Sequence, residues 1–321
     1  MAKAAKRITG EDAAGLVQSG MWLDYGAVLG QPDVFDAALA KRLGEVTNLR
    51  FRSVLTARPR AVLEADAEGK HVHWFSTHFS GYDRRKHDAG MAHYLPVNLG
   101  EVPDYYRRFI DPIDIVVFKA APMDGQGFFN FGPNTLWMRA LVERGKVVIV
   151  EETPNLPYVM GEGTGVHVSE VDYIIPGTDG PLAELPKAPA SDVDKAVARL
   201  IAQEVEDGSC LQIGIGGMPN AVCSLLAESP VSDLGIHTEM MTDGIVDLFR
   251  AGRVTEAYEE FRLAAKLNPN DSEAIGSLGI IAFRSGRLDV ARVFLERAIL
   301  LNPGDARARS YLEAVRRQAK P

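Results

Sequence analysis

Asp233 to Phe261 reads DLGIHTEMMTDGIVDLFRAGRVTEAYEEF, and two architectures claim the stretch. From the left, DLGI is a short apolar run, and Glu239 is placed just beyond it, like a carboxylate at the end of a buried strand. From the right, Met241, Ile245 and Leu248 form a helical stripe ahead of Gly252, like the first helix of a helical array. The second reading fits poorly. Gly244 and Ile245 fall where the helical unit downstream has Leu278 and Gly279, and a glycine inside a helix costs ~1 kcal/mol. The left half therefore reads as the end of an α/β segment, with a helical region beginning near Gly252.

Rightward, the sequence repeats itself. GRVTEAYEEFRLAAKLNPNDSEA from Gly252 aligns with GRLDVARVFLERAILLNPGDARA from Gly286, and Ala257/Ala291, Asn268/Asn302, Pro269/Pro303 and Ala274/Ala308 keep the same 34-residue spacing. That period, with glycine between helices and Asn-Pro at the helix end, resembles a tetratricopeptide array. It implies one complete repeat from about Ser272 to Gly304, the second helix of a preceding repeat, and a final helix through RSYLEAVRRQ. Such units bury their apolar faces by stacking on one another.

Leftward, strand-like and helix-like runs alternate over the first 175 residues. VFDAALAKRLGEV has helical spacing and NLRFRSVL is strand-like. DIVVFKAAP, KVVIVEE and VDYIIP are nearly continuous apolar runs, as strands covered on both faces require. The pattern predicts an α/β fold with a largely parallel sheet. TDGPLAELPKAPAS, 178–191, carries three prolines and reads as a linker. An amphipathic helix, DVDKAVARLIAQEVEDG, follows, and then the strand SCLQIGI. The expected division is 1–177 for a first α/β domain, 178–191 for the linker, 192–251 for a second α/β domain, and 252–321 for an all-α tail.

Bulk properties narrow the function classes. The 321 residues are 46% hydrophobic and 24% charged, ordinary values for a globular protein. Net charge is −8, which argues against nucleic acid or an anionic membrane as partner. From Ala251 onward there are 12 Lys/Arg against 9 Asp/Glu, net +3, leaving 23 against 34, net −11, before it. The composition breaks where the repeat begins. MAKAAKRITGEDAAG lacks the apolar core of a secretory signal, and no apolar run approaches the ~20 residues that span a bilayer. Two cysteines, Cys210 and Cys223, make neither a disulfide framework nor a metal quartet, and read as small core residues of a cytoplasmic protein. His71, His73 and His78 are close in sequence but lack further metal ligands nearby, so no metal is expected. DRRK, from Asp83 to Lys86, reads as a solvated charge run.

SCLQIGIGGMPNAVCSLLAES is strand, glycine loop and helix. Gly214, Gly216 and Gly217 remove side chains where backbone must come close to something. Pro219 suits the first turn of a helix, where its missing N–H would be unpaired anyway. Amides exposed at such a turn favour an anion, either a phosphate or a developing oxyanion. The loop is neither a Rossmann fingerprint nor a Walker A loop, and tight packing is its bland explanation.

GIGGMPNAV followed by DLGIHTEMMTDGIVDL resembles the acetyl-CoA hydrolase/transferase family, which includes butyryl-CoA:acetate and 4-hydroxybutyrate CoA-transferases. HYLPVNLGEVPDYYR, PIDIVVFKAAPMDGQGFFNFG, VVIVEETPNLPYVMG and HVSEVDYIIP follow that family's order, so the resemblance covers about residues 8–250. It implies that Glu239 is the nucleophile and that Gly216, Gly217, Met218, Pro219 and Asn220 line a coenzyme A site. Coenzyme A is then a substrate rather than a resident cofactor, and the partners are an acyl-CoA and a small carboxylate. Chemically, a carboxylate attacks the thioester to give a mixed anhydride and CoA thiolate. The thiolate returns to the glutamyl carbonyl, releasing the first acid and leaving a glutamyl-CoA thioester that a second acid reverses. Water must be kept out. In the family a further large segment follows this glutamate, whereas here the repeat begins, so the second domain is cut short. Three readings follow: a CoA-transferase, an acyl-CoA hydrolase, or an inactive remnant whose tail binds a protein partner or self-associates.

Overall fold

In the computed structural model the described residues are 4–184, 189–256, 270, 272–284 and 287–318. The chain forms two compact units, Met1–Leu185 and Pro186–Pro321.

The first unit is built on one eight-stranded sheet. Its strands are β1 (Lys6–Arg7), β2 (Trp22–Tyr25), β3 (Leu49–Ser53), β4 (Val72–Ser76), β5 (Ala92–Tyr94), β6 (Ile115–Ala120), β8 (Val147–Glu152) and β10 (Tyr173–Pro176). A separate antiparallel pair is made by β7 (Phe128–Asn130) and β9 (Gly165–His167). The large sheet runs β1-β10-β8-β6-β2-β3-β4-β5, with every pairing parallel. Its continuous apolar strands serve two cores. Ile115 and Val117 of β6 join the cluster on one face, together with Leu23, Phe51 and Trp74. Val116 and Phe118 of the same strand join the other, with Val148, Val150 and Phe129. Period-two alternation in a strand buried on both sides explains why KVVIVEE and DIVVF show no polar face. Helices α1 (Gly10–Gly15), α2 (Val34–Ala40), α3 (Ala61–Ala65), α4 (Gly81–Asp88), α5 (Val102–Arg108) and α6 (Met138–Arg144) connect the strands. Strand order reverses between β2 and β6, where chains leave in opposite directions across the sheet.

The second unit starts with α7 (Asp192–Gln203), entered through a capping box in which Ser191 and Asp194 satisfy each other's backbone. This helix is shorter than the run to Gly208 that its periodicity suggests. The chain turns at Glu204, and Gly208 takes φ +79° within the connection to β11 (Cys210–Leu211). Then come α8 (Gly217–Glu228), β12 (Leu234–Ile236), α9 (Asp243–Arg250) and β13 (Val254–Glu256). The strands pair in parallel as β11-β12-β13. Ala198, Val222, Cys223, Leu226, Leu234, Ile245 and Leu248 form their core.

The tail's described helices are α10 (Ser272–Arg284), α11 (Leu288–Leu301) and α12 (Ala306–Gln318). They enclose Ile275, Ile280, Ala291, Leu295, Ala298, Leu312 and Val315. The small position of the repeat has a steric cause: a Cβ on Gly279 would lie 2.6 Å from Leu295 Cγ. The expected second helix of a preceding repeat, with Ala257, Asn268 and Pro269, lies outside the described residues, as does Gly286. Among the described residues no helix is long and apolar enough to cross a membrane.

Candidate functional site

Glu239 and the glycine loop emerge side by side. β11 and β12 are parallel neighbours in register, Cys210 opposite Gly235 and Leu211 opposite Ile236. Gly214 and Glu239 each follow three residues beyond the last paired positions, so both leave the carboxyl ends of adjacent strands, where α/β proteins place ligands. The last rung of the ladder is His237 N donating to Leu211 O at 3.0 Å. Beyond it, Thr238 Oγ1 accepts from Ile213 N at 3.3 Å and donates to Ile213 O at 2.9 Å. Glu239 lies in a bend rather than on a helix, and it is exposed, as are Gly214, Ile215 and Gly216. A carboxylate shielded from water, which anhydride chemistry favours, is therefore not what the described residues provide.

Gly216 is the N-cap of α8 with φ +133°, a conformation that requires glycine. The first turn offers the amides of Gly217 and Met218, while Pro219 contributes none. Gly217 also packs closely on Ala190, whose Cα would be 3.2 Å from an added Cβ. Asn220 begins the helical ladder, its amide donating to Gly216 O at 3.3 Å. Its Oδ1 is buried without a hydrogen-bond partner, and so is Thr242 Oγ1. Gly214, Gly216, Gly217 and Met218 thus lie in the turn that follows β11, beside the strand end that leads into the Glu239 bend. Asn220 is set deeper, towards α9.

The same contact resolves the ambiguous stretch. A Cβ on Gly244 would lie 2.7 Å from Cys223 Cβ and 3.2 Å from Asn220 Oδ1. The glycine lets α9 lie directly on α8, and Ile245 and Leu248 enter the core of this α/β layer. After α9, Val254–Glu256 adds a strand beside β12, so the α/β pattern continues past Gly252. Burial pushes the Cys223 thiol up to about 11, and Cys210 is exposed rather than a core residue.

In the first unit, a buried polar cluster lies at the carboxyl ends of β6 and β8, near the reversal of strand order. Asp33 receives Arg58 and Lys119 in short ion pairs and Arg60 at 3.1 Å. Glu151, wholly buried, accepts from the amides of Asp33, Val34 and Phe35 at 2.9–3.1 Å, capping α2. Burial pushes its carboxyl up, with the three amides and Lys119 pulling it back. Burial also lowers Lys119, against the pull of Asp33. In the sequence this cluster is marked only by an acid closing an otherwise apolar strand in KVVIVEE, a signal too local to reveal its partners. Asp83 departs from the solvated charge run expected of DRRK. It is fully buried, caps α4 with Ser80, and accepts from Thr56 N at 3.0 Å. Phe129 and Phe131 of the PMDGQGFFNFG loop are core residues. His71 Nδ1 lies 3.1 Å from Val46 O.

The acetyl-CoA hydrolase/transferase N-terminal domain matches residues 3–186, and a tetratricopeptide repeat matches 248–315. Over 251 residues the chain is 44% identical to butyryl-CoA:acetate CoA-transferase of Anaerostipes caccae, covering 78% of this chain and 56% of that protein. It is 30% identical over 247 residues to 4-hydroxybutyrate coenzyme A transferase of Clostridium kluyveri, covering 77% and 56%. Among solved structures it resembles RipA from Yersinia pestis, with TM-score 0.71 and 31% identity over 79% of this chain and 60% of that one. The chain spans little more than half the length of the curated relatives it matches. By the match over its first unit, the chain belongs to the acetyl-CoA hydrolase/transferase family, and it continues into tetratricopeptide sequence.

Proposed function

We propose that this chain is a CoA-transferase that moves CoA between an acyl-CoA and a small carboxylic acid through a glutamyl-CoA thioester on Glu239. The observation carrying the reading is the emergence of Glu239 and the Gly214–Gly217 turn from adjacent parallel strand ends. The amides of Gly217 and Met218 serve as oxyanion donors, and the turn from Gly216 to Asn220 receives coenzyme A. CoA enters as substrate, with no resident cofactor, in a reducing cytoplasmic setting. The working division is residues 1–177 and 192–251 as the two transferase portions, 178–191 as linker, and 252–321 as a helical tail that engages a protein partner or self-associates.

The test is exchange of labelled acetate into acetyl-CoA by the full chain. Glu239→Gln is expected to reduce exchange at least ~10³-fold, since it removes the nucleophile itself. Peptide mass spectrometry after incubation with acetyl-CoA should find a CoA adduct on the peptide containing Glu239. Exchange no greater than blank in the unaltered chain rejects the reading.

The exposure of Glu239 favours a second reading, hydrolysis. An acyl or glutamyl-CoA intermediate open to water partitions to acid and thiol. Thiol release from acetyl-CoA that is independent of added carboxylate, and lost in Glu239→Gln, marks this outcome.

A further inference from the structure

We propose that the Thr238 hydroxyl is the positioning group that sets Glu239 against the glycine turn. The inference rests on the reading of Glu239 as nucleophile, but the clamp itself is a feature of the fold. Parallel pairing between β11 and β12 ends with the bond from His237 N to Leu211 O. Past that rung the two chains must separate, one towards α8 and the other into the Glu239 bend, and no further backbone bond ties them among the described residues.

Thr238 replaces the missing rung with a side chain. A hydroxyl carries one donor and two acceptor sites, so a single oxygen can satisfy both backbone groups of one residue. Here it accepts from Ile213 N at 3.3 Å and donates to Ile213 O at 2.9 Å. Both partners are fixed in turn. Ile213 is only 6% exposed and belongs to the core of the layer, and Thr238 is half-buried. Threonine is branched at Cβ, which restricts the rotation that would swing the hydroxyl away.

Chain connectivity gives the clamp its reach. Gly214 follows Ile213 directly, and Glu239 follows Thr238 directly. Each element of the proposed site is therefore one peptide unit from the tie, with consecutive Cα atoms about 3.8 Å apart. Losing the tie frees the spacing between carboxylate and turn without touching either. Small displacements of that kind can cost on the order of 10²-fold in rate. Substrate binding, in contrast, depends on the turn itself. The loss should therefore fall on kcat rather than on KM for acyl-CoA.

Thr238→Val keeps the shape and removes the hydroxyl, and Thr238→Ser restores the hydroxyl without the methyl. In full-length protein, Thr238→Val is expected to lower kcat for exchange ~10–100-fold while KM for acetyl-CoA stays within about twofold, and Thr238→Ser to recover most of the rate. Amide deuterium exchange across 212–216 should quicken in Thr238→Val and return in Thr238→Ser. The proposal is overturned if Thr238→Val leaves kcat within twofold, if kcat and KM fail together, or if Thr238→Ser does not rescue. A chain with no exchange activity rejects the functional reading alone. The clamp is then judged by deuterium uptake, and unchanged uptake in Thr238→Val overturns it.

Discussion

Gly244 decides the ambiguous stretch because its missing side chain is the contact. Gly244→Ala would bring a Cβ within 2.7 Å of Cys223 Cβ. Overpacking of this sort costs about 1–3 kcal/mol, so urea unfolding should report a loss of that size. Gly15→Ala, where an added Cβ meets nothing within 4 Å, is the control and should be neutral or mildly stabilising. The two cysteines separate as clearly. Exposed Cys210 should react with a thiol reagent in the native chain, and buried Cys223, with its thiol raised to about 11, only after denaturation. At this scale the sequence was uneven. Gly214 and Gly216 could be picked out because glycine spacing is a local signal, and Glu239 through the family resemblance of the stretch around it. Thr238 and Asp83 could not. Their roles come from partners at Ile213 and Thr56, which no spacing rule connects to them.

Among elements, α2 depends on a residue far along the chain. Glu151, at the end of β8, supplies the carboxylate that caps its first turn through three amides. Glu151→Gln turns an amide nitrogen towards donors and leaves Lys119 less compensated. A loss of about 2–4 kcal/mol is expected in chemical denaturation. In the first unit β6, β8 and β10 are legible because burial on both faces leaves an unbroken apolar run, whereas β1, β4 and β5 carry no such run. The second unit is less legible. SCLQIGI pairs only at Cys210–Leu211, since the following residues turn away into the glycine loop. β13 was hidden because GRVTEAYEEF carries the repeat's signature, and that signature outweighed a three-residue strand. Short parallel strands declare themselves through neighbours rather than through period.

For the molecule as a whole, acid stability reflects carboxylates of opposite kinds. The Arg139 guanidinium holds Glu170 below the usual carboxylate range. A lowered pKa contributes stability above the ordinary glutamate value, lost as pH falls through the lowered one. Glu170 is partly exposed, so the contribution is at most about 1 kcal/mol after solvent screening. Arg139→Gln should therefore be less stable than the unaltered chain at pH 7, and the difference should close on acidification below about pH 4, read from urea midpoints. Buried Glu151 and Asp36 work in the other direction. Their raised carboxyls favour the folded state at low pH, and that contribution declines as pH rises through the raised values. The tetratricopeptide match of the tail was visible in the sequence as a 34-residue period. The depth of the α/β layer beyond Gly252 was not, because it rests on β12 receiving a third strand.

Among the described residues the two-residue strand β1 pairs only with β10, Lys6 lying beside Tyr173 and Arg7 beside Ile174. During synthesis, β1 is made before β10 and must wait for this partner until some 165 later residues have left the ribosome. Its fastening, reinforced by Arg7 on Glu152 at 2.7 Å, belongs to the final step of assembling that sheet. A nascent chain stalled before Tyr173 would hold a sheet whose outer edge is β8, open to strand pairing with another polypeptide.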